Sequence, residues 1–166
     1  MKVSINAVVL TISDAAVRGE RVDRAGHALI DHLRAAQINV VENELLQNDR
    51  AVIARRLQEY ADRDDVNLIL TAGGTGLSPH DVTPEATLEV IEREVRGIPE
   101  LMRMANKEST PLAMLSRAVA GIRSGTLIIN LPGSVKGVRE SFAAIQPILP
   151  HAIGTMTEQV HKCGGR

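Results

Sequence analysis

Apolar and polar positions along the chain fall into blocks, and the period changes from block to block. Residues 3–12 form an almost unbroken apolar run, the signature of a buried strand. Residues 23–36 change to helical spacing, with Ala25, Leu29, Ile30 and Leu33 on one face. A strand is predicted over 38–46, then a helix carrying Val52, Ile53, Leu57, Tyr60 and Ala61, with Asn48 or Asp49 as its cap. Residues 66–71 are short and apolar, typical of a central parallel strand. Helices are predicted over 84–93 and 99–106, a strand over 126–131, and helices over 134–144 and 147–159. Residues 114–120 carry no clear period. Strands alternating with helices imply βαβ units and a mostly parallel sheet. The fold class expected is therefore α/β: a single three-layer domain with helices on both faces of the sheet. It should cover residues 1–160, with 161–166 as a flexible tail.

Composition narrows the function. The 166 residues carry a formal net charge of −1, so nothing shows the basic excess of a nucleic-acid binder. Tyr60 and Phe142 are the only aromatics, which argues against base-stacking platforms. The single cysteine, Cys163, permits no internal disulfide and no thiolate zinc cluster. No apolar run reaches the ~18 residues of a membrane span. The expectation is a cytoplasmic protein with no membrane partner.

In a parallel α/β sheet, ligands bind beyond the carboxyl ends of the strands. The residues there are distinctive. The first strand runs into Ser13-Asp14 and the second into Asn48-Asp49. The third runs into Gly73-Gly74-Thr75-Gly76, with Asp81 further on. The last runs into Pro132-Gly133-Ser134, with Lys136 in the next helical turn. Glycines let backbone N–H groups approach an anion closely. The run lacks the Gly-Lys-Ser/Thr of a P-loop and the spacing of a dinucleotide fingerprint. Thr83-Pro84 reads as a helix cap and first-turn proline. That leaves Asp81 outside the helix, facing the crevice. A carboxylate beside a phosphate cradle needs a cation, and magnesium suits that donor set. Asp14 and Asp49 read equally well as ordinary caps. Ser134 reads as a cap whose helix start also suits an anion. Lys136 opposes the helix dipole, which favours an anion contact. Arg117 sits in an irregular segment within reach of an anion. The other arginines and most of the five histidines read as surface residues; His80 alone adjoins the proposed site.

The stretches "TAGGTGLSPHDVTPEAT" and "NLPGSVKGVRESF" together resemble the MoaB/Mog family of molybdenum-cofactor biosynthesis proteins. The likeness extends from "LTISD" through "RAVAGIRSGTLIINLPGSVKGVRE", nearly the whole chain. It implies a compact α/β domain that assembles as a homotrimer or hexamer. It also implies binding of molybdopterin and its adenylylation with Mg-ATP, releasing pyrophosphate, before a downstream enzyme inserts the metal. The family's functional positions fall here on Ser13, Asp14, Gly73, Gly74, Thr75, Gly76, Asp81, Ser116, Pro132, Gly133, Ser134 and Lys136. A second acidic position falls at Asn48-Asp49, so Asp81 and Asp49 are the expected catalytic and magnesium-holding residues, directly or through water. Two positions depart from the family pattern. Gln47-Asn48-Asp49 stands where Pro-Asp and a further polar residue are usual, and His80 where arginine is common. The alternative reading is therefore a non-catalytic molybdopterin carrier of the same pathway. A third is a nucleotide-binding domain with another substrate.

Overall fold

The computed structural model describes residues 3–157. Four parallel strands form most of its sheet: β1 (Asn6–Ile12), β2 (Asn39–Leu46), β3 (Leu68–Ala72) and β6 (Thr126–Leu131). Two shorter strands, β4 (Arg93–Glu94) and β5 (Ala120–Arg123), complete the sheet in the order β2-β1-β3-β6-β5-β4. β5 runs antiparallel to both its neighbours. Side chains of a strand alternate between faces. Ala7 and Val9 accordingly join one core, and Val8, Leu10 and Ile12 the other. The first core is roofed by α2 (Arg24–Ala35), α5 (Gly97–Asn106), α6 (Val135–Ile145) and α7 (Leu149–Met156). Leu29, Leu33, Met102, Phe142 and Ile153 are buried there. The second is roofed by α3 (Arg50–Ala61) and α4 (Thr83–Val90), through Ile53, Leu57, Ala86 and Val90. This is the expected three-layer α/β domain with a mostly parallel sheet. Among the described residues, no helix is long and apolar enough to cross a membrane.

Local chemistry sets the helix starts. Asp23 accepts the Gly26 amide at 2.7 Å, Asp49 the Val52 amide at 2.9 Å, and Ser134 the Gly137 amide at 3.0 Å. Each satisfies an otherwise orphaned N–H of its helix. The expected cap at Thr83 is a correction. Val82 occupies the cap position without a side-chain bond, and the Thr83 hydroxyl donates instead to the Gly73 carbonyl at 3.0 Å. That hydroxyl ties α4 to the glycine loop.

Other departures lie at the antiparallel edge. The helix predicted to residue 93 stops at Val90, because Ile91 turns extended (ψ 144°) and Arg93–Glu94 pairs with β5. The segment 114–120 ends a single 3-10 turn (Pro111–Leu115) and enters β5. β5 returns to β6 through Ser124 (φ 48°) and Gly125 (φ 79°), the two positive φ values a tight type I′ hairpin needs. A four-residue helix, α1 (Asp14–Val17), follows β1. The helix predicted over 147–159 begins as a 3-10 turn, Gln146–Ile148, before α7; its last two residues and the 161–166 tail lie outside the described residues.

The order of the strands decides where a ligand can enter. β1 has β2 on one side and β3 on the other, so the chain reverses direction across the sheet there. The carboxyl ends of β1 and β3 therefore flank an open crevice.

Candidate active site at the carboxyl ends of the strands

The glycine loop lies between two cavities. Gly73 continues β3, its amide donating to the Leu131 carbonyl at 3.1 Å. Its φ of +108° is one that glycine alone adopts readily, and a methyl there would overlap the Ile12 carbonyl oxygen. Gly74 has φ +67° and faces Thr83 Oγ1 and Asn48 Oδ1. These two glycines are thus required by the close packing of β1, β3 and α4, before any ligand is considered. Beyond them the backbone opens. Among the described residues, the amides of Gly74, Thr75 and Gly76 meet no acceptor. Successive unbonded N–H groups can form an anion cradle.

A cavity of about 560 Å³ lies on the β1 side of this loop. Ser13, Asp14, Asn48, Gly73, Gly74, Asp81, Gly133 and Ser134 contribute to its wall. A second cavity of about 500 Å³ lies on the α5–α6 side. It takes in Thr75, Gly76, Ser116, Pro132, Ser134 and Lys136, with Leu77, Met102 and Leu115 as apolar wall. Ser134 borders both. All but one of the expected catalytic, metal-holding and substrate-binding positions thus converge on the two cavities.

The exception is Asp49. It caps α3 and does not line either cavity, whereas its neighbour Asn48 does. The physical reason is the helix start: the capping carboxylate must fold back onto its own first turn. Among the described residues, the buried Asn48 Oδ1 has no hydrogen-bond partner. The Asn48 amide donates to Asp14 Oδ1 at 2.8 Å, which holds Asp14 at the same mouth. Asp81 stands outside α4 as expected. Its Oδ2 accepts the Ser78 amide at 3.2 Å and sits where a Gly76 methyl would come within 2.8 Å. Ser13 caps α1 by accepting the Ala16 amide at 3.3 Å. Ser116 Oγ accepts the Ala118 amide at 3.3 Å. Lys136 Nζ is 4.0 Å from Glu140 and exposed.

Arg117 differs from its expected role as an anion contact. Its guanidinium is occupied by the Glu85 carboxylate and by the carbonyls of Gly76 and Asp81, each carbonyl at 2.7 Å. Burial pushes the Glu85 carboxyl up. The Arg117 hydrogen bond, a backbone bond and the charges of Arg117 and Arg50 outweigh it, and the net direction is down. Two further residues reach the site unannounced by the sequence. Asp23 lines the first cavity because α2 starts on the carboxyl side of the sheet. That the predicted 23–36 helix follows the first strand was the available signal. Arg103 lines the second cavity and donates to the Ser116 carbonyl at 3.2 Å. Its solvated-looking position on an amphipathic helix gave no signal.

Among the described residues no group of three or more acidic, histidine or cysteine side chains could enclose a metal ion. The acidic groups at the first cavity are Asp14, Asp23 and Asp81, faced by Arg18, Arg21 and Arg24. Arg18 is paired with Glu20 at 2.8 Å.

The chain matches the family described as "Probable molybdopterin binding domain" over residues 8–151. It is 39% identical over 152 residues to the molybdopterin adenylyltransferase of Helicobacter pylori (strain J99 / ATCC 700824), covering 90% of this chain and 86% of that one. It is 39% identical over 138 residues to molybdenum cofactor biosynthesis protein B of Escherichia coli (strain K12), covering 82% of this chain and 80% of that one. The solved molybdopterin biosynthesis enzyme MoaB of Thermus thermophilus superimposes with a TM-score of 0.88 at 47% identity, covering 95% of this chain and 99% of that one. The chain spans 26% of the longer Drosophila melanogaster protein cinnamon, which it also matches. With the glycine loop, the Asp81 turn and the Pro132-Gly133-Ser134 turn gathered at one mouth, and with these likenesses along nearly its whole length, the chain belongs to the MoaB/Mog family of molybdenum-cofactor biosynthesis proteins.

Proposed function

We propose that the chain binds molybdopterin and joins it to AMP from Mg-ATP, releasing pyrophosphate. The observation that carries this reading is the divided mouth: two cavities meet at unbonded amides, with Asp81 beside them. Two substrates need two compartments and one shared point of reaction. The apolar wall of Leu77, Met102 and Leu115 suits a flat ring system. The amides of Gly74 to Gly76 and the start of α6 suit the phosphates.

An oxygen of the molybdopterin phosphate would attack the α-phosphorus of ATP, and the bond to pyrophosphate would break. That nucleophile is already ionised at neutral pH, so no strong general base is needed. The work left to the protein is alignment and charge neutralisation. Ser13, Asp14, Thr75, Ser116, Pro132, Gly133 and Ser134 would border the substrates, and Lys136 would offset phosphate charge. Asp81 would hold magnesium, one of its oxygens having no donor among the described residues. A single carboxylate with substrate phosphates suits magnesium, which is seldom caged by protein alone. When bound, that ion would neutralise charge shared between the phosphates. Asp49, committed to its cap, would act on it through water at most.

The second reading, a molybdopterin carrier without adenylyl transfer, is favoured by one feature. Asn48, a neutral amide, occupies the cavity wall where a second carboxylate would complete the site. Self-association as a trimer or hexamer accords with exposed Leu101 and Met104 on α5 beside Leu112, Met114 and Leu115. Handover of the product to a metal-inserting enzyme would follow.

The test is direct. The chain is incubated with molybdopterin, ATP and magnesium, and adenylated molybdopterin is sought by mass, with Asp81→Asn alongside. The reading expects product from the native chain and at least tenfold less turnover from the variant, about 1.4 kcal/mol of barrier. Absence of product from folded, pterin-binding protein would support the carrier, and Asn48→Asp would then be expected to gain activity.

A further inference from the structure

We propose that Arg117 is a positioning residue, the strut that holds segment 76–81, and with it the Asp81 carboxylate, in its working geometry; this rests on the adenylyl-transfer reading above. Three nitrogens of one guanidinium serve three separate acceptors. Nε donates to the Gly76 carbonyl at 2.7 Å and Nη2 to the Asp81 carbonyl at 2.7 Å, while Nη1 meets Glu85 Oε1. The Arg117 backbone amide also donates to the Thr75 carbonyl at 3.0 Å. One residue therefore grips the segment at both ends and the first turn of α4 behind it.

The segment has little else to hold it. Leu77, Ser78, Pro79 and His80 are exposed. Their own hydrogen bonds are internal: Asp81 N to Ser78 O at 2.9 Å, Ser78 N to Asp81 Oδ2 at 3.2 Å, and His80 N to Ser78 Oγ at 3.3 Å. Among the described residues, Arg117 alone hydrogen-bonds segment 76–81 to the rest of the fold. The anchor itself is firm. Ala118, Val119 and Ala120 follow it into the core, and the Val119 amide donates to Asn130 at 3.1 Å. Glu85, at the start of α4, keeps the guanidinium from turning outward toward substrate phosphate. A rigid fork of donors can span three acceptors in this way, whereas an ammonium concentrates its donors at one point. Lysine should therefore keep the charge and lose the function.

The experiment uses the full chain with Arg117→Met, Arg117→Lys, Asp81→Asn, and Asp81→Asn combined with Arg117→Met. Adenylylation is measured as kcat and KM for molybdopterin, and amide hydrogen exchange is followed residue by residue. The expected result is a kcat at least tenfold lower in both Arg117 variants, with KM changed less than threefold and no rescue by lysine. The Ser78 and Asp81 amides should exchange at least tenfold faster, with β1 and β3 amides unchanged. The double variant should be no slower than Asp81→Asn, because both changes remove one function. Wild-type kcat in Arg117→Met, full rescue by lysine, or faster exchange spread through the strands would overturn the proposal. If the native chain makes no adenylated product, the adenylyl-transfer reading fails. Unchanged exchange at Ser78 and Asp81 would then overturn the strut as well, and accelerated exchange would uphold it.

Discussion

Replacing Gly74 by alanine should damage this mouth through side-chain contacts as well as through backbone strain. Gly74 has φ +67°, where an L side chain costs about 1–2 kcal/mol. The added methyl would overlap Thr83 Oγ1 and come within 2.7 Å of Asn48 Oδ1. Moving the Thr83 hydroxyl breaks its 3.0 Å bond to the Gly73 carbonyl, a loss of about 1 kcal/mol. Crowding in a tightly packed place adds about 1–3 kcal/mol. The expected destabilisation is therefore at least ~3 kcal/mol from these contributions together. Gly125→Ala isolates the contact part. Gly125 has a similar φ of +79°, but none of the described residues other than its chain neighbours lies within 4 Å of the new methyl. It should cost only the backbone part, about 1–2 kcal/mol. Urea unfolding of the native chain and both variants measures the difference. With a slope of about 2 kcal/mol/M, Gly74→Ala should lower the midpoint by at least ~1.5 M and Gly125→Ala by no more than about 1 M. Equal shifts would refute the reasoning, because they would mean that the Thr83 and Asn48 contacts impose no constraint.

Asn130→Ala removes a fully buried amide that donates to Thr71 and Thr87 and accepts from Val119. It should cost about 2–3 kcal/mol, read as a melting temperature about 5–10 °C lower. Glu85, held below its ordinary value in the fold, stabilises the protein above its unfolded pKa of about 4.3. That contribution should be lost as pH falls through its folded value. The stability gap between the native chain and Glu85→Gln should thus be flat near neutrality and shrink below about pH 4. Urea midpoints taken between about pH 3 and 7 check it, and a gap constant over that range would refute it. Because the Glu85 side chain is 37% exposed, solvent screening keeps the effect small.

Much of the fold was legible because each central element has a strong period. The β1, β3 and β6 runs are apolar on both faces, which only a sheet covered on both sides requires. α2 and α3 carry their stripe and their aspartate caps in the sequence. The edge was not legible. β4 has two residues and β5 four, too few for a period. β4 can pair with β5 because Gly121 lets the Arg93 carbonyl approach, a contact between residues far apart in sequence. The site divides in the same way. Asp81 and the glycine run stand out locally, because a Thr-Pro helix start follows them. Whether Asn48 or Asp49 faces the cavity turns on a single residue of register at a helix start, and the cap decided it. Arg117 appeared free because its partners, Gly76, Asp81 and Glu85, are more than thirty positions away.

What the sequence determined by itself was the set of elements and the residue types at their ends. Period, caps and glycines are short-range properties, governed by neighbours a few positions apart. What only the tertiary structure decided was which ends meet. The strand order brings β1 beside β3 and opens one mouth there; the packing of α5 against α6 frames another cavity. Burial of apolar faces is non-directional and depends on the whole chain, so it selects among arrangements that no local pattern distinguishes. The same packing assigned Arg117 to the loop rather than to a ligand, and placed Asn48 where a carboxylate had been expected.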